Sequence, residues 1–287
     1  MDRHTIIFAT DKRQENLAML LDGEKRNFVW EEKVECEGVC EKIYVLPTPV
    51  SKLDKNPKMK EKLKQELMHE VKNVCAPTRV FGGAFSTEWK EFLETQKITY
   101  WDFMELPEVV EGNAFITAEG TVAEMLLNGC KSICGQHVLV TGYGCCGEKI
   151  AKLLSKMGAK VTVVARRKEV RVMARKDGFT AISFEEMPDV MSEISTVVNT
   201  VPALVVTEES IRNLPKDALI LDIASKPGGT DFAAAKRYGI SAKLALGLPG
   251  IYTTKSSAML LKNAIEKYAP SQEKVREDKS WIFQIII

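Results

Sequence analysis

A glycine-rich turn between a buried strand and a helix constrains this chain more than any other feature of its sequence. Residues 138–147 read VLVTGYGCCG, so four residues of buried-strand character run into Gly142-x-Gly144-x-x-Gly147. A helical pattern follows at once, and a second strand is expected at 160–165. Strand, glycine turn, helix and strand is the order that a dinucleotide-binding βαβ unit requires.

Each glycine of the turn has its own role in such a unit. Gly142 permits the tight turn, Gly144 lets the backbone approach a pyrophosphate, and Gly147 lets the helix sit close to the strand. The phosphates would lie at the helix N-terminus, among unpaired N–H groups and the positive end of the helix dipole. Glycine turns between strands and helices are also common without a cofactor, so the prediction depends on the βαβ context.

The end of the second strand indicates which dinucleotide is preferred. A unit that prefers NAD carries an acidic residue there, which holds the ribose 2′-hydroxyl. Here the strand VTVVA ends in Arg166-Arg167, and an arginine can pair bidentately with a 2′-phosphate. We therefore predict NADP, with NAD as the second choice; alternatively, the arginines only open the next polar turn or helix. The predicted cofactor-binding residues are Gly142, Tyr143, Gly144, Cys145, Cys146, Gly147, Arg166, Arg167, Asn199, Thr200, Val201 and Pro202.

Length and charge limit the classes of protein to which this chain can belong. At 287 residues it is expected to form two domains. A net charge of +1 gives no electrostatic case for nucleic acid or an anionic membrane as a partner. No apolar run is long enough to span a bilayer, and the first residues lack the apolar region of a signal peptide. A cytoplasmic location with reduced thiols is therefore expected.

The seven cysteines show no metal-binding pattern. Cys36 and Cys40 are spaced CxxxC, as are Cys130 and Cys134, and no CxxC pair exists. The three histidines show no ligand spacing with them, so the thiols are interpreted as structural and no metal is predicted. The adjacent Cys145-Cys146 lie inside the glycine turn, where their modification is expected to block the approach of a pyrophosphate.

The first part of the chain is predicted to form a second α/β layer. A buried strand at 5–9 leads into Thr10-Asp11, which can cap a helix that ends near Leu21. The strongly charged segment 51–73 repeats an apolar residue every four positions, which predicts an amphipathic helix. The residues expected to face inward are Met59, Leu63, Leu67 and Val71.

Further strands alternate with helices in this first part. Strands are expected at 43–46, 78–81 and 98–101, with a helix at 87–95. This alternation predicts a parallel, flavodoxin-like sheet. The loop 9–14 follows the first strand, at the carboxyl edge where open α/β sheets place ligands.

The second part is predicted to be a Rossmann-type domain, linked to the first part by a helix at 120–128. Its later strands are expected at 196–199, 219–223 and 243–246, and a last helix at 256–268. The loops after strand ends are expected to line the nicotinamide side of the cofactor; alternatively, their prolines and glycines only shape turns. These loops are 199–203, 224–229 and 247–250.

These patterns divide the chain into three segments. A flavodoxin-like substrate domain is expected at 1–116 and a Rossmann domain at 117–254, with a linking helix at 117–131 and a cleft between the domains. A C-terminal helix and tail occupy 255–287. The tail ends in the apolar run WIFQIII, which could add an edge strand or pack on a partner.

Three runs in the second part resemble a known family: NTVPALVVTEE, LILDIASKPGGTDFAAAK and LALGLPGIYTTKSSAMLL. Together with the glycine turn, they are similar to the family of dipicolinate synthase A subunits over residues 117–265, and ASKPGG-D and GLPG are specific to that family. The N-terminal part matches less well. Ala9-Thr10 stand where the family has glycines, although Asp11, Arg13 and Gln14 of its Asp-x-Arg-Gln motif remain, so the shape of this turn is left open.

The resemblance implies an NAD(P)-dependent oxidoreductase of spore formation in Gram-positive bacteria, placed in the mother cell. It would make dipicolinate from the cyclic dicarboxylate product of dihydrodipicolinate synthase, beside the flavoprotein B subunit of dipicolinate synthase. The architecture is similar to D-2-hydroxyacid dehydrogenases, and a homo-oligomer is expected. Two rivals remain: another NADP-dependent 2-hydroxyacid-type dehydrogenase or reductase, and a non-catalytic NADP-binding protein that docks the flavoprotein through WIFQIII.

Comparison with those dehydrogenases implies a mechanism. Where they bind the substrate carboxylate with an arginine, this chain has Lys226, and where they place a histidine base after a proline, Pro249 is followed by Gly250. Oxidising a hydroxyl group requires a strong base, whereas aromatising a dihydropyridine depends on one less. The missing histidine therefore favours oxidation of a dihydropyridine over oxidation of a 2-hydroxy acid. Lys226 and Ser225 are the catalytic candidates, and Asp11, Arg13, Thr117, Lys226 and Gly250 are the substrate-binding candidates; alternatively, Arg13 is a solvated residue at a helix N-terminus.

Overall fold

The computed structural model of the chain describes residues 3–22, 24–26, 41–73, 77–129 and 132–270. Two compact units are present: Met1–Gly112 together with Thr254–Ile287, and Asn113–Thr253. This division differs from the predicted one, which ended the first domain at residue 116 and set the last helix apart. The last helix belongs to the first unit because its apolar face, with Leu261 and Ile265, is buried in the same cluster as Ile7 and Leu17.

The first unit is a parallel sheet of five strands with the order β2-β1-β3-β4-β5, which confirms the predicted flavodoxin-like sheet. Its elements in chain order are β1 (Arg3–Phe8), α1 (Lys12–Leu20), β2 (Glu24–Arg26), β3 (Glu41–Val45), a 3₁₀ helix (Val50–Lys55), α2 (Pro57–Asn73), β4 (Thr78–Gly82), α3 (Thr87–Thr95), β5 (Thr99–Asp102) and the start of α4 (Pro107–Leu127). Side chains alternate across the sheet: Ile6 and Phe8 pack on one face, and Ile7 packs on the other.

The amphipathic helix of the first unit is confirmed, with two differences. Met59, Leu63 and Leu67 of α2 are buried as predicted, because a four-residue spacing keeps them on one face. Val71, in the last turn, is 40% exposed, so its predicted burial is wrong. The segment before Pro57 forms the separate 3₁₀ helix rather than the beginning of α2.

The second unit is a parallel sheet of six strands with the order β11-β10-β9-β6-β7-β8, the doubly wound arrangement of a Rossmann domain. Its elements after α4 are β6 (His137–Thr141), α5 (Cys145–Lys156), β7 (Lys160–Val164), α6 (Lys168–Lys176), β8 (Thr180–Ile182), α7 (Met187–Val190), a 3₁₀ helix (Met191–Glu193), β9 (Thr196–Asn199), α8 (Glu208–Ile211), β10 (Leu219–Asp222), α9 (Phe232–Tyr238), β11 (Ser241–Leu244) and a 3₁₀ turn (Leu248–Gly250). The helix α10 (Thr254–Tyr268) then returns to the first unit.

The helix α4 begins 13 residues earlier than the predicted helix at 120–128. Gly112 and Gly120 both lie inside this helix. A methyl group on Gly112 would lie 2.7 Å from Leu260, and one on Gly120 would lie 2.8 Å from Leu248. The two glycines therefore permit close packing, which a single sequence cannot distinguish from helix breaking.

The described residues show neither a candidate membrane-spanning helix nor a candidate metal site. Within the described ranges, no helix is long and apolar enough to cross a membrane. The same ranges contain no cluster of His, Cys, Asp and Glu that could hold a metal ion. The tail with WIFQIII and the cysteines at 36, 40 and 130 lie outside the described residues.

Candidate functional site

The glycine turn has the geometry that its sequence predicts. Gly142 has a φ of +84°, and its N–H donates to Val164 O at 2.7 Å. A methyl group on Gly147 would lie 2.2 Å from the carbonyl oxygen of Gly142, so α5 approaches the turn as closely as glycine allows. Gly144 caps α5 and differs from both, since a methyl group there would have no atom within 4 Å. The space above Gly144 is therefore open to a ligand.

A cavity of about 370 Å³ adjoins this turn at the carboxyl edge of the sheet. Exposed Arg166 and Arg167 contribute to it from the end of β7, and no carboxylate of the described residues lines it. The cavity thus suits an anionic group. Its lining residues are Gly142, Tyr143, Gly144, Ala165, Arg166, Arg167, Val170, Phe184, Val201, Ala203 and Val205.

The side chain of Tyr143 anchors the glycine turn to Asp177 and Phe179. Its hydroxyl donates to Asp177 Oδ2 at 2.7 Å, and Asp177 also accepts from Lys152 Nζ at 3.0 Å. The ring packs edge-on against Phe179, with 5.9 Å between the ring centroids. Burial, and then the hydrogen bond to Asp177, raises the pKa of Tyr143. This hydroxyl therefore stays protonated and anchors the loop.

The loop after β9 is held by a buried amide. Asn199 is fully buried, and its Oδ1 accepts from Thr141 Oγ1 at 2.5 Å and from Val201 N–H at 3.1 Å. Its Nδ2 donates to Val201 O at 3.0 Å. Thr200 Oγ1 donates to Thr141 O at 2.7 Å. Asn199 thus shapes the loop from within, and Thr200, Val201 and Pro202 form its surface.

A second cavity, of about 230 Å³, lies on the other side of this loop. Val201 lines the first cavity, whereas Thr200 and Pro202 line the second. The first turn of α5 is divided in the same way, with Gly144 at the first cavity and Cys146 at the second. The lining residues of the second cavity are Thr117, Cys146, Thr200, Pro202, Ile223, Ala224, Ser225, Ala245, Gly247, Leu248 and Pro249.

The second cavity contains hydroxyl groups but no general base. The hydroxyls come from Thr117, Thr200 and Ser225, and no Asp, Glu, His, Lys or Arg of the described residues lines it. The thiol of Cys146 cannot act as a base near neutral pH, because burial, together with the neighbouring Cys145, raises its pKa. The cavity can therefore orient a polar ligand but cannot readily remove a proton from it.

A residue that sequence reasoning missed holds the loop 224–229. Asp222 is fully buried at the end of β10, and its Oδ1 accepts from Ala224 N–H at 3.1 Å. Its Oδ2 accepts from Gly229 N–H at 2.7 Å. The carboxylate thereby closes the loop that carries Ser225 and Lys226. The signal in the sequence was an acid within the apolar run LILDI.

Two candidates do not line either cavity, although each is the chain neighbour of a residue that lines the second one. Lys226 is exposed, and Gly250 ends the 3₁₀ turn after β11; neither lines the cavities of the second unit. Thr117 and Ser225, by contrast, meet at the second cavity. The tertiary structure thus brings together one substrate-binding candidate and one catalytic candidate.

The first unit has a charged cluster at the start of α1. Asp11 caps the helix by accepting from Gln14 N–H at 3.1 Å. Arg13 is only 6% exposed, so the alternative of a solvated arginine is wrong. Desolvation lowers the pKa of Arg13, although Asp11 opposes this change. Lys52 joins the cluster from the 3₁₀ helix, and no local pattern distinguished it from the other lysines of a strongly charged segment.

Alkylation of Cys145 should weaken cofactor binding. Cys145 is exposed at the N-terminus of α5, whereas the half-buried Cys146 has a raised pKa and should react more slowly. The added group would occupy the predicted approach of the pyrophosphate and raise the Kd for the predicted cofactor, NADP, by about tenfold or more. Titration with NADP after each stage of alkylation, followed by mass spectrometry, measures this effect. In Cys145→Ser protein, alkylation of exposed Cys134 should leave the Kd unchanged, and unchanged affinity after both Cys145 and Cys146 react would contradict the prediction.

Comparisons with known proteins give consistent matches. Residues 108–224 match the family model of the NAD-binding domain of D-isomer specific 2-hydroxyacid dehydrogenases. The dipicolinate synthase A subunit of Bacillus subtilis (strain 168) is 30% identical over 205 residues, which are 71% of this chain and 68% of that protein. The crystal structure of the dipicolinate synthase A subunit from Bacillus halodurans superposes with a TM-score of 0.75 at 25% identity, over 94% of this chain and 98% of that chain. The crystal structure of the A chain of dipicolinate synthase from Bacillus subtilis superposes with a TM-score of 0.74 at 23% identity, over 96% of this chain and 97% of that chain.

Proposed function

Because the chain belongs to the family of dipicolinate synthase A subunits, we propose that it is the NAD(P)-dependent oxidoreductase that forms dipicolinate. The substrate is dihydrodipicolinate or its hydroxylated tetrahydro precursor, and the cofactor is NADP, with NAD as the second choice. The match of residues 108–224 to an NAD-binding domain supports nicotinamide chemistry. The partner is the flavoprotein B subunit, and the location is the cytoplasm of the mother cell of a sporulating bacterium. The chain acts as a homo-oligomer.

The residues around the glycine turn fit a dinucleotide. The open space at Gly144 receives the pyrophosphate, since a side chain there would fill it. The N–H groups at the start of α5 stabilise its charge, and Arg166 and Arg167 neutralise a ribose 2′-phosphate in the first cavity. The bound cofactor supplies the hydride acceptor for the reaction.

The second cavity carries the proposal because it offers hydroxyls without a base. Oxidation of the dihydro ring removes one hydride and one proton, and the gain in aromaticity favours both losses. The proton passes to solvent, so the cavity needs groups that orient the ring rather than a histidine. Thr117 and Ser225 donate hydrogen bonds to the ring substituents and hold the reacting carbon in place, whereas Thr200, whose hydroxyl already donates to Thr141 O, offers only an acceptor. A 2-hydroxy acid would require a base for its hydroxyl proton, which this cavity does not provide.

Product formation tests the proposal directly. The cyclic intermediate is generated from aspartate semialdehyde and pyruvate, and the purified chain is added with NADP⁺ or NAD⁺. Dipicolinate is quantified by chromatography, with and without the flavoprotein. Dipicolinate from the chain alone, formed faster with NADP⁺, supports the proposal. Product only with the flavoprotein assigns hydride transfer to the complex, and turnover of keto acids in place of this ring refutes the proposed substrate.

Arg166→Ala should reduce the preference for NADP. Loss of a charge-assisted hydrogen bond to the 2′-phosphate should raise the Kd for NADP roughly 10- to 100-fold and leave the Kd for NAD unchanged. Titration with both dinucleotides measures the change. Lys168→Ala is the matched control, because Lys168 is exposed in the next turn and does not line the first cavity. Equal losses for both dinucleotides would show that Arg166 does not recognise the 2′-phosphate.

Lys226→Ala should raise the KM for the ring substrate about tenfold or more, since a charged hydrogen bond to a carboxylate is worth about 1.5–3 kcal/mol. The loop that carries Lys226 is fixed by Asp222, so the fold should tolerate the change. Steady-state kinetics measure the KM for the ring substrate, and titration with NADP measures cofactor affinity, which should not change. Lys236→Ala, an exposed lysine on α9, serves as the control. If the KM of Lys226→Ala equals that of the wild type, Lys226 is only a loop residue.

A further inference from the structure

A cluster of charged side chains lies at the carboxyl edge of the first sheet, between two neighbouring strands. Residues 10–14 follow β1, and the side-chain amide of Gln14 donates to Leu46 O, directly after β3, at 3.2 Å. β1 and β3 are adjacent, while the chain passes from β1 to β2 on the other side. This pair of strands is therefore the topological switch point of the sheet. Open α/β sheets bind ligands at this position.

One carboxylate in this cluster holds two cations. Asp11 Oδ2 lies 3.1 Å from Lys52 Nζ and 3.5 Å from Arg13 Nη2. Lys52 Nζ also donates to Thr10 Oγ1 at 3.1 Å. Among the described residues, Asp11 is the carboxylate paired with either cation, so the three charges sum to +1. An anion bound here would neutralise the remaining charge.

The guanidinium of Arg13 has an unsatisfied hydrogen-bond donor on one edge. Its side chain is only 8% exposed, and its buried Nε has no hydrogen-bond partner within the described part of the chain. Among the same described residues, its Nη2 has only the long contact of 3.5 Å to Asp11. A buried arginine that served only the fold would be expected to have these donors satisfied. The Nε and Nη2 edge of a guanidinium matches the two oxygens of a carboxylate.

We propose that Arg13 and Lys52 together bind a carboxylate group of a small dicarboxylate and that Asp11 orients both cations. Arg13 supplies the planar, bidentate edge, and Lys52 supplies a point charge. The Lys52 side chain is 31% exposed, so its ammonium group is free to move towards the ligand. Lys52 is thus an anion-binding residue that the sequence did not indicate. The chemical class of the ligand rests on the proposed function, whereas the anion site rests on the geometry of the first unit alone.

The test is calorimetric titration of the full chain with pyridine-2,6-dicarboxylate. Lys52→Ala should weaken binding roughly 10- to 100-fold, and Lys52→Arg should retain most of the affinity. Lys55→Ala is the matched control, because Lys55 is exposed in the same 3₁₀ helix, three positions from Lys52. The affinity of Lys55→Ala for the dicarboxylate should equal that of the wild type. NADP is titrated into the same samples, and its Kd should not change in any of these variants.

The outcomes separate this inference from the proposed function. Wild-type affinity in Lys52→Ala, or no binding of the dicarboxylate by the wild type, overturns the carboxylate site. Dipicolinate formation with an unchanged KM in Lys52→Ala leaves the proposed function standing and removes Lys52 from it. Lys52-dependent dicarboxylate binding without any dipicolinate formation retains the anion site and refutes the proposed reaction.

Discussion

Gly147→Ala should destabilise the second unit strongly. The new methyl group would lie 2.2 Å from the carbonyl oxygen of Gly142 and 2.9 Å from its carbonyl carbon. Both are backbone atoms of a turn fixed by a hydrogen bond to β7, so neither can move without opening the turn. Overpacking of this kind costs about 1–3 kcal/mol and sometimes more, and we expect the upper end of that range. Denaturant unfolding measures the loss, and NADP binding should be lost with it.

Gly144→Ala is the matched comparison for this prediction. Gly144 has a φ of −87°, which alanine adopts readily, and a methyl group there meets no atom within 4 Å. The free energy of unfolding should stay within about 0.5 kcal/mol of the wild type. The Kd for NADP should rise by about tenfold or more, because the methyl group enters the space proposed for the pyrophosphate. Unchanged NADP affinity in Gly144→Ala would refute the cofactor position, and unchanged stability in Gly147→Ala would refute the packing role.

Asp222→Ala should disrupt the loop 224–229 and with it the proposed activity. The substitution leaves the buried N–H groups of Ala224 and Gly229 without their acceptor. Each unsatisfied buried group costs about 1–3 kcal/mol, so the free energy of unfolding should fall by roughly 2–6 kcal/mol. The kcat/KM for dipicolinate formation should fall further than NADP affinity does, because Ser225 and Lys226 lie on the released loop. Denaturant unfolding and steady-state kinetics on the same sample measure both effects.

Asp222→Asn provides the graded control. The side-chain amide keeps the size of the carboxylate but retains one acceptor oxygen, so it can satisfy only one of the two N–H groups. About half of the stability loss of Asp222→Ala is therefore expected. Equal stability of the wild type and both variants would contradict the assignment of Asp222 as the residue that closes this loop.

Local chemistry explains why much of the second unit could be predicted. The turn at 142–147 depends on a positive φ and on close backbone contacts that only glycine allows, and both constraints act within a few residues. The βαβ order followed from hydrophobic periodicity, which β6, α5 and β7 confirm. The family predicted from three loop sequences is confirmed by the relative in Bacillus subtilis. The short strands β2 and β8 were missed, because three residues carry too little periodicity.

The sequence by itself determined the fold class, the glycine turn and the arginines at the end of β7, since each follows from neighbouring residues. Only the tertiary structure decided the contacts of the polar candidate residues. Asp222 accepts from backbone N–H groups two and seven residues away, and buried Arg13 shares its partner Asp11 with Lys52 from a separate helix. The helix α10 joins the first unit after the whole second unit has intervened. These features depend on contacts between distant parts of the chain, which burial and sheet order create and local patterns do not encode.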